Sequence, residues 1–182
     1  MTLQGFIGHL KTVNEHRREV QKGCFQVGLY LQGLTHDLSK YSPTEFLVGA
    51  KYFQGDRSPN NAEREEIGYS SAWLHHKGRN RHHFEYWFDY QYGEHDAVIA
   101  PVPMPKQYIV EMFMDRIAAC KVYQKEKYRQ DSPLRYYRSG KTKELLHPKT
   151  AALLEKLLTM LAYKGERYTF RFIRKRVLKN LP

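Results

Sequence analysis

Apolar residues recur at spacings of three and four through most of the chain, which is the period of a helix with one buried face. Leu3, Phe6, Leu10 and Val13 predict a first helix over residues 2–22, stopped by Gly23. A second is predicted over 24–38, weakened by Gly28 and Gly33. Ser42-Pro43-Thr44-Glu45 is a capping box with proline at the first helical position, and it predicts a short helix to about Tyr52. "FQGDRSPNNAE" is rich in turn formers and reads as a loop. One helix is then predicted from Ala62 to Lys77, acidic in its first turn and stopped by Gly78, followed by a shorter aromatic helix in "HHFEYWFDYQYG". The prolines of "AVIAPVPMP" predict extended chain. Long helices follow over about 106–130 and from Pro148 to just before Gly165. The last segment is ambiguous: Tyr168, Phe170 and Phe172 alternate as in a strand, whereas Ile173 and Val177 suit a helix. The fold class expected is all-α.

Composition changes this picture little. With 182 residues, 41% of them apolar and 14% aromatic, the chain is long and apolar enough to bury a core, which excludes a disordered protein. No linker or repeat divides it, so residues 1–182 read as one domain, with 130–182 a basic C-terminal helical extension of it. Two cysteines, Cys24 and Cys120, lie far apart outside any CxxC pattern, which argues against both a disulfide framework and a thiolate zinc site. The N-terminus lacks the pattern of a signal peptide and no apolar run approaches the roughly 20 residues that span a bilayer, so a soluble, cytoplasmic protein without a membrane partner is expected.

Charge adds more. The formal net charge is +11, and between Lys164 and Lys179 seven Lys or Arg face one Glu. Such a segment can meet phosphates, but a solvated helix face is the commoner meaning, so nucleic acid is a possible partner rather than the favoured one.

Nine histidines carry the candidate chemistry. His9 and His16 stand seven apart on the first helix and share a face. His36 and Asp37 close the second helix, His75 and His76 fall in the last turn of the fourth, and His82 and His83 follow a short basic link. Asp115 interrupts an apolar stretch, while His95 and His147 read as peripheral. Adjacent side chains on a helix diverge by about 100°, so both can lean over its end toward one ion. Imidazole and carboxylate without thiolate suit Mn, Fe, Co, Ni, Zn or Mg. Each piece also has an ordinary reading: His75, His76 and Lys77 suit the negative end of a helix dipole, and Glu45 a capping role.

Taken together, three stretches resemble the HD-domain superfamily of metal-dependent phosphohydrolases, an all-helical fold. "EHRREVQKGC" resembles its first helix and matches His16; "LTHDLSKYSP" resembles its core motif and matches His36, Asp37 and Lys40; "MDRIAACKVYQKE" resembles the late helix and matches Asp115. "WLHHKGRNRHHFEYW" is similar, more loosely, to the extra histidine pairs of two-metal subfamilies, with Lys77 where an acidic residue often follows the first pair. The register within each pair stays open, and His76 and His83 are the candidates. The resemblance implies an HD-like helical bundle and hydrolysis of a phosphoester or phosphoanhydride, most readily of a nucleotide, through a metal-activated water. His16, His36, Asp37 and Asp115 would hold one divalent cation, and His76 and His83 a second bridged by Asp37. Lys40 would contact a small phosphate-containing substrate; Arg79 and Arg81, between the histidine pairs, are candidates to assist it, with solvated loop charge the favoured reading for both. Two alternatives stand beside it: a di-iron oxygenase on the same scaffold, and a non-catalytic basic helical module binding RNA or a protein partner.

Overall fold

A computed structural model describes residues 2–92 and 97–179. It is all-α apart from one small hairpin. The helices are α1 (Leu3–Val27), α2 (Tyr30–Thr35), α3 (Pro43–Lys51), α4 (Pro59–Ile67), α5 (Ser71–Lys77), α6 (Lys106–Gln124), α7 (Ser132–Ser139), α8 (Thr142–Leu145) and α9 (Pro148–Phe172). Strands β1 (Phe88–Tyr92) and β2 (Ala97–Pro101) pair antiparallel between α5 and α6, with Tyr90 opposite Ile99.

The core lies where α1, α6 and α9 meet. Val20, Cys24 and Val27 of α1 pack with Val110, Phe113 and Met114 of α6 and with Leu154, Leu157, Leu158 and Leu161 of α9. Six consecutive residues of α6, Ile109 to Met114, are buried, which makes it the central helix rather than a one-faced surface one. Glu111 is among those six. Leu134 and Tyr137 of α7 and Ile173 and Val177 join the same cluster. No helix of the described residues is long and apolar enough to cross a membrane.

The buried face of α1 is turned away from the one marked by Leu3, Phe6, Leu10 and Val13, and of those four Val13 alone is buried. It runs through Gly5, His9, Val13, His16, Val20, Gly23, Cys24 and Val27, while Leu3 is exposed. Two histidines therefore sit in the inward stripe. Gly23 does not end this helix. A side chain there would meet Met114 Sδ at 2.8 Å, so the residue permits close packing on α6. The helix stops five residues later at Gly28, whose φ of 89° lets its N–H close on Cys24 O and Phe25 O.

Other differences have equally local causes. The expected helix 62–77 is two helices, because Gly68 takes φ 84° and ends α4, and the Ser70 hydroxyl then accepts from Trp73 N to start α5. Glu63 locks the joint by accepting from the hydroxyls of both Ser70 and Ser71. The aromatic helix expected in 82–93 is a short 3₁₀ turn, Phe84–Tyr86, followed by β1, where Phe88, Tyr90 and Tyr92 alternate with Asp89 and Gln91 as strand formers do. The second helix is only α2, since the backbone turns away at His36. The helix expected to 130 ends at Gln124, and Lys125 follows with φ 48°. The backbone leaves helical geometry at Gly165 (φ 75°, ψ 173°), so the helix from Pro148 does stop there, and a further helical stretch runs on to Phe172, which settles the final segment as helical. His95 lies outside the described residues.

Helices α1 and α3 approach through glycine. A Cβ on Gly5 would stand 2.8 Å from the carbonyl oxygen of Ala50, and one on Gly49 would run into the His9 ring. Because a backbone oxygen cannot swing aside, Gly5→Ala is expected to lower the unfolding free energy by about 1–3 kcal/mol in urea denaturation.

His9 is held against Phe46 and Phe53 in this joint, with Nδ1 unpartnered. Burial, helped by the charge of Lys40, pushes its pKa down to about 4. The unfolded chain takes up this proton near pH 6.5, so the fold keeps the full benefit above that pH and loses it progressively toward pH 4. Between pH 7 and pH 5, wild type should therefore lose more stability than His9→Leu; parallel losses in urea titrations would contradict this assignment.

Candidate metal centre

Five elements converge below the end of α2. Helix α1 supplies His16, the turn after α2 supplies His36 and Asp37, α5 supplies His76, the following loop supplies His82 and His83, and α6 supplies Glu111 and Asp115. His36 and Asp37 do not sit in a helix as adjacency suggested. His36 has left helical geometry (φ −48°, ψ 125°), and Asp37 is left-handed (φ 54°, ψ 26°), ahead of the 3₁₀ turn Leu38–Tyr41. A left-handed non-glycine residue costs on the order of 1 kcal/mol, though aspartate tolerates it better than most. Arg17 holds the turn in place. Its Nε donates to His36 O at 2.8 Å, and its Nη2 to Leu34 O at 3.0 Å.

Asp37 is wholly buried, and each carboxylate oxygen faces its own set of nitrogens. Oδ2 lies 3.4 Å from His36 Nε2 and 3.6 Å from His16 Nε2. Oδ1 lies 3.2 Å from His76 Nε2 and 3.4 Å from His82 Nε2. Asp115 closes the first set, with Oδ1 3.0 Å from His16 Nε2. His83 completes the second, its ring centroid 4.1 Å from that of His82. Two overlapping ligand sets result, His16–His36–Asp37–Asp115 and Asp37–His76–His82–His83, each with its donor atoms within 4.8 Å of one another.

The far sides of the rings are held by carboxylates. His36 Nδ1 donates to Glu111 Oε1 at 2.9 Å, and His82 Nδ1 lies 3.2 Å from the same oxygen. His76 Nδ1 donates to Glu45 Oε2 at 2.7 Å, and His75 Nδ1 to its Oε1 at 2.6 Å. A proton fixed at Nδ1 turns the Nε2 lone pair of the neutral ring inward, as metal-ligating histidines require. Glu45 thus serves the histidines rather than the capping box alone. Ser39 and Asn80 complete this rim: Asn80 Nδ2 donates to Ser39 Oγ and to His76 O, both at 2.8 Å.

Burial and closely spaced opposite charges compete in setting the electrostatics of the cluster. Burial alone would raise the carboxyl pKa values, yet neighbouring His36, Lys40 and His76 hold Asp37 well below the usual range, and His16 and His36 do the same for Asp115. Burial opposes charge on His36, but Asp37, Asp115 and Glu111 outweigh it and push its pKa up to about 10. For His83, burial and the neighbouring His82 and His76 push it well below the ordinary value. The donor set fits a divalent cation on structural grounds. Oδ1 of Asp37 and Nε2 of both His82 and His83 are buried without an aligned hydrogen-bond partner, and Oδ2 has the Lys40 ammonium beside it at 2.7 Å. Polar atoms so placed are costly unless something positive binds them.

All six metal candidates named from the sequence, His16, His36, Asp37, His76, His83 and Asp115, are in the cluster. Lys40 is beside it, its ammonium 2.7 Å from Asp37 Oδ2 and its side chain 29% exposed. Arg79 and Arg81 are not brought in: Arg79 Nη1 donates to His75 O, and Arg81 Nη1 to Tyr108 OH. Sequence reasoning missed His82, Glu111 and Arg17. For His82 the obstacle was register within a pair, which a loop does not fix. Glu111 had a legible signal, because it precedes Asp115 by four residues and so shares its face of α6.

An all-α protein with a buried histidine–carboxylate cluster fit for divalent metal is the class that fold and site define. The profile of a family of unknown function, DUF5662, matches residues 6–160, and the chain belongs to that family. No curated protein and no solved structure matches it.

Glu111→Gln keeps the shape but removes the charge that fixes Nδ1 of two rings. Its affinity for Mn²⁺ or Zn²⁺ is expected to fall about 10–100-fold in competition with a chromogenic chelator. An unchanged affinity would assign Glu111 to packing alone.

Proposed function

We propose that this protein is a metal-dependent phosphohydrolase of the HD type, acting on a phosphoester or phosphoanhydride, with a nucleotide as the first choice of substrate. One observation carries the reading: Asp37 turns one oxygen toward His16 and His36 and the other toward His76 and His82. His16, His36, Asp37 and Asp115 would hold one ion, and Asp37, His76, His82 and His83 a second. A divalent cation so held lowers the pKa of coordinated water and neutralises charge on a phosphoryl oxygen.

The chain's own groups do the rest. Glu111 and Glu45 keep the Nδ1 protons of His36, His82 and His76 on the outer side of each ring. Arg17 keeps the His36–Asp37 turn from relaxing. Asp115 and Lys40 are the solvent-facing members, with side chains 20% and 29% exposed, so an anionic substrate approaches from their side. The Lys40 ammonium offers a phosphate a point charge there, and the net charge of +11 draws anions in.

Elemental analysis of untagged protein beside His36→Ala and Asp37→Asn tests the site. One or two equivalents of Mn, Fe, Co, Ni, Zn or Mg are expected in wild type and loss of metal in both variants, with helicity retained by circular dichroism. A screen of nucleotides and phosphoesters with that metal should then release phosphate, falling to background in both variants. Bound iron with oxygen consumption and no phosphate release would replace hydrolysis with the di-iron oxygenase reading. Absence of metal after supply of Mn²⁺ or reduced Fe²⁺ would overturn both.

A further inference from the structure

The end of α9 and the π-helical turn after it, Ile173–Val177, carry a second feature that the metal centre does not use. Arg167, Arg171, Arg174 and Lys175 follow one another at spacings of four, three and one and are all exposed. On a helix they fall within one face, with Lys179 beyond them. The opposite face carries Phe170, Ile173 and Val177, which are buried in the core. The stripe from Arg167 to Lys179 is roughly 18 Å long at the ordinary helical rise.

These cations have no ion-pair partner among the described residues. Elsewhere on the surface, Arg57 pairs with Glu65, Arg135 with Asp131, and Lys143 with Glu155. Among the described residues, no carboxylate lies within ion-pair distance of Arg167, Arg171, Arg174, Lys175, Arg176 or Lys179. The one acid of the segment, Glu166, is directed away: it takes Lys121 at 2.8 Å and Tyr128 OH at 3.4 Å. Six guanidinium or ammonium groups on so short a segment repel one another, and that repulsion is relieved by an external polyanion.

Two features select which polyanion. The apolar residues of this segment are spent on the core, leaving no apolar face to enter a bilayer as an interfacial helix requires. Tyr168, 54% exposed, stands beside Arg171 and Lys175 on the stripe. A line of cations with an exposed aromatic ring is what single-stranded nucleic acid needs, the cations following phosphates and the ring stacking a base. We infer that the Arg167–Lys179 face binds single-stranded nucleic acid through its backbone, with Tyr168 stacking on a base. This activity is separate from the metal centre.

Fluorescence anisotropy of the full chain with a labelled 20-nucleotide single-stranded RNA tests it, the probe being recovered intact on a denaturing gel. With about four phosphates contacted, affinity should fall about fiftyfold between 50 and 200 mM salt. Changing Arg167, Arg171, Arg174 and Lys175 together to Gln should weaken binding more than tenfold and flatten the salt dependence. The same number of charges removed elsewhere, at Lys11, Arg18, Lys106 and Lys149, should leave most of it. Tyr168→Ala should weaken single-strand binding about tenfold and spare a duplex of equal length. Equal losses in the two quadruple variants would reduce the effect to net charge and overturn the proposal. So would Tyr168→Ala binding as wild type, or retention on phosphatidylserine vesicles without RNA binding.

Discussion

A carboxylate buried without compensation is among the most expensive groups a fold can hold, and Asp37 is fully buried. Everything around it answers that cost. Four imidazole nitrogens and one ammonium surround its two oxygens, and they arrive from α1, α2, α5, the loop after α5 and the 3₁₀ turn that follows Asp37 itself. The left-handed backbone at Asp37 is the geometric expression of the same demand. A helical Asp37 could not present one oxygen to each histidine set, so the chain accepts local strain there and secures it with the Arg17 clamp on His36 and Leu34.

The packing of the helices follows from keeping those arms in reach. Helix α6 is central because it must bury Glu111 behind His36 and His82 while leaving Asp115 at the rim. Gly23 lets α1 lie close on α6, and Gly5 and Gly49 let α3 lie close on α1, which brings Glu45 behind His75 and His76. The break between α4 and α5 at Gly68 and Ser70 orients α5 so that His76 points inward and His75 remains at the edge. Small residues and caps thus act at a distance on the chemistry: each sets a helix angle, and each angle places a ring.

The outer carboxylates divide the labour with the inner ones. Asp37 and Asp115 face the interior of the cluster, whereas Glu45 and Glu111 hold the rings from behind. Asp37, Asp115 and Glu111 push the His36 pKa up against its burial, and the Lys40 ammonium lies 2.7 Å from Asp37 Oδ2. The C-terminal basic face lies on the exposed side of its helical segment, and among the described residues no carboxylate pairs with its cations.

Residue chemistry and local period alone determined the all-α class, the start of α3 at Ser42-Pro43 and the extended run at Ala97–Pro101, while the choice of histidines and aspartates as sharers of a metal came from a family resemblance. The first three are properties of side chains and short-range spacing, and they survive in any arrangement of the helices. Which face of α1 turns inward, which of His82 and His83 reaches Asp37, and the role of Glu111 were decided by tertiary structure. The apolar spacing of Leu3, Phe6 and Leu10 was outweighed by a stripe carrying His9 and His16, because burying those rings serves the α3 joint and Asp37. Arg79 and Arg81 looked like members of the site from their position between histidine pairs, yet the loop turns them to His75 and Tyr108. Proximity along the chain says little about direction in a loop. Direction was fixed only when five separate elements met around one buried carboxylate.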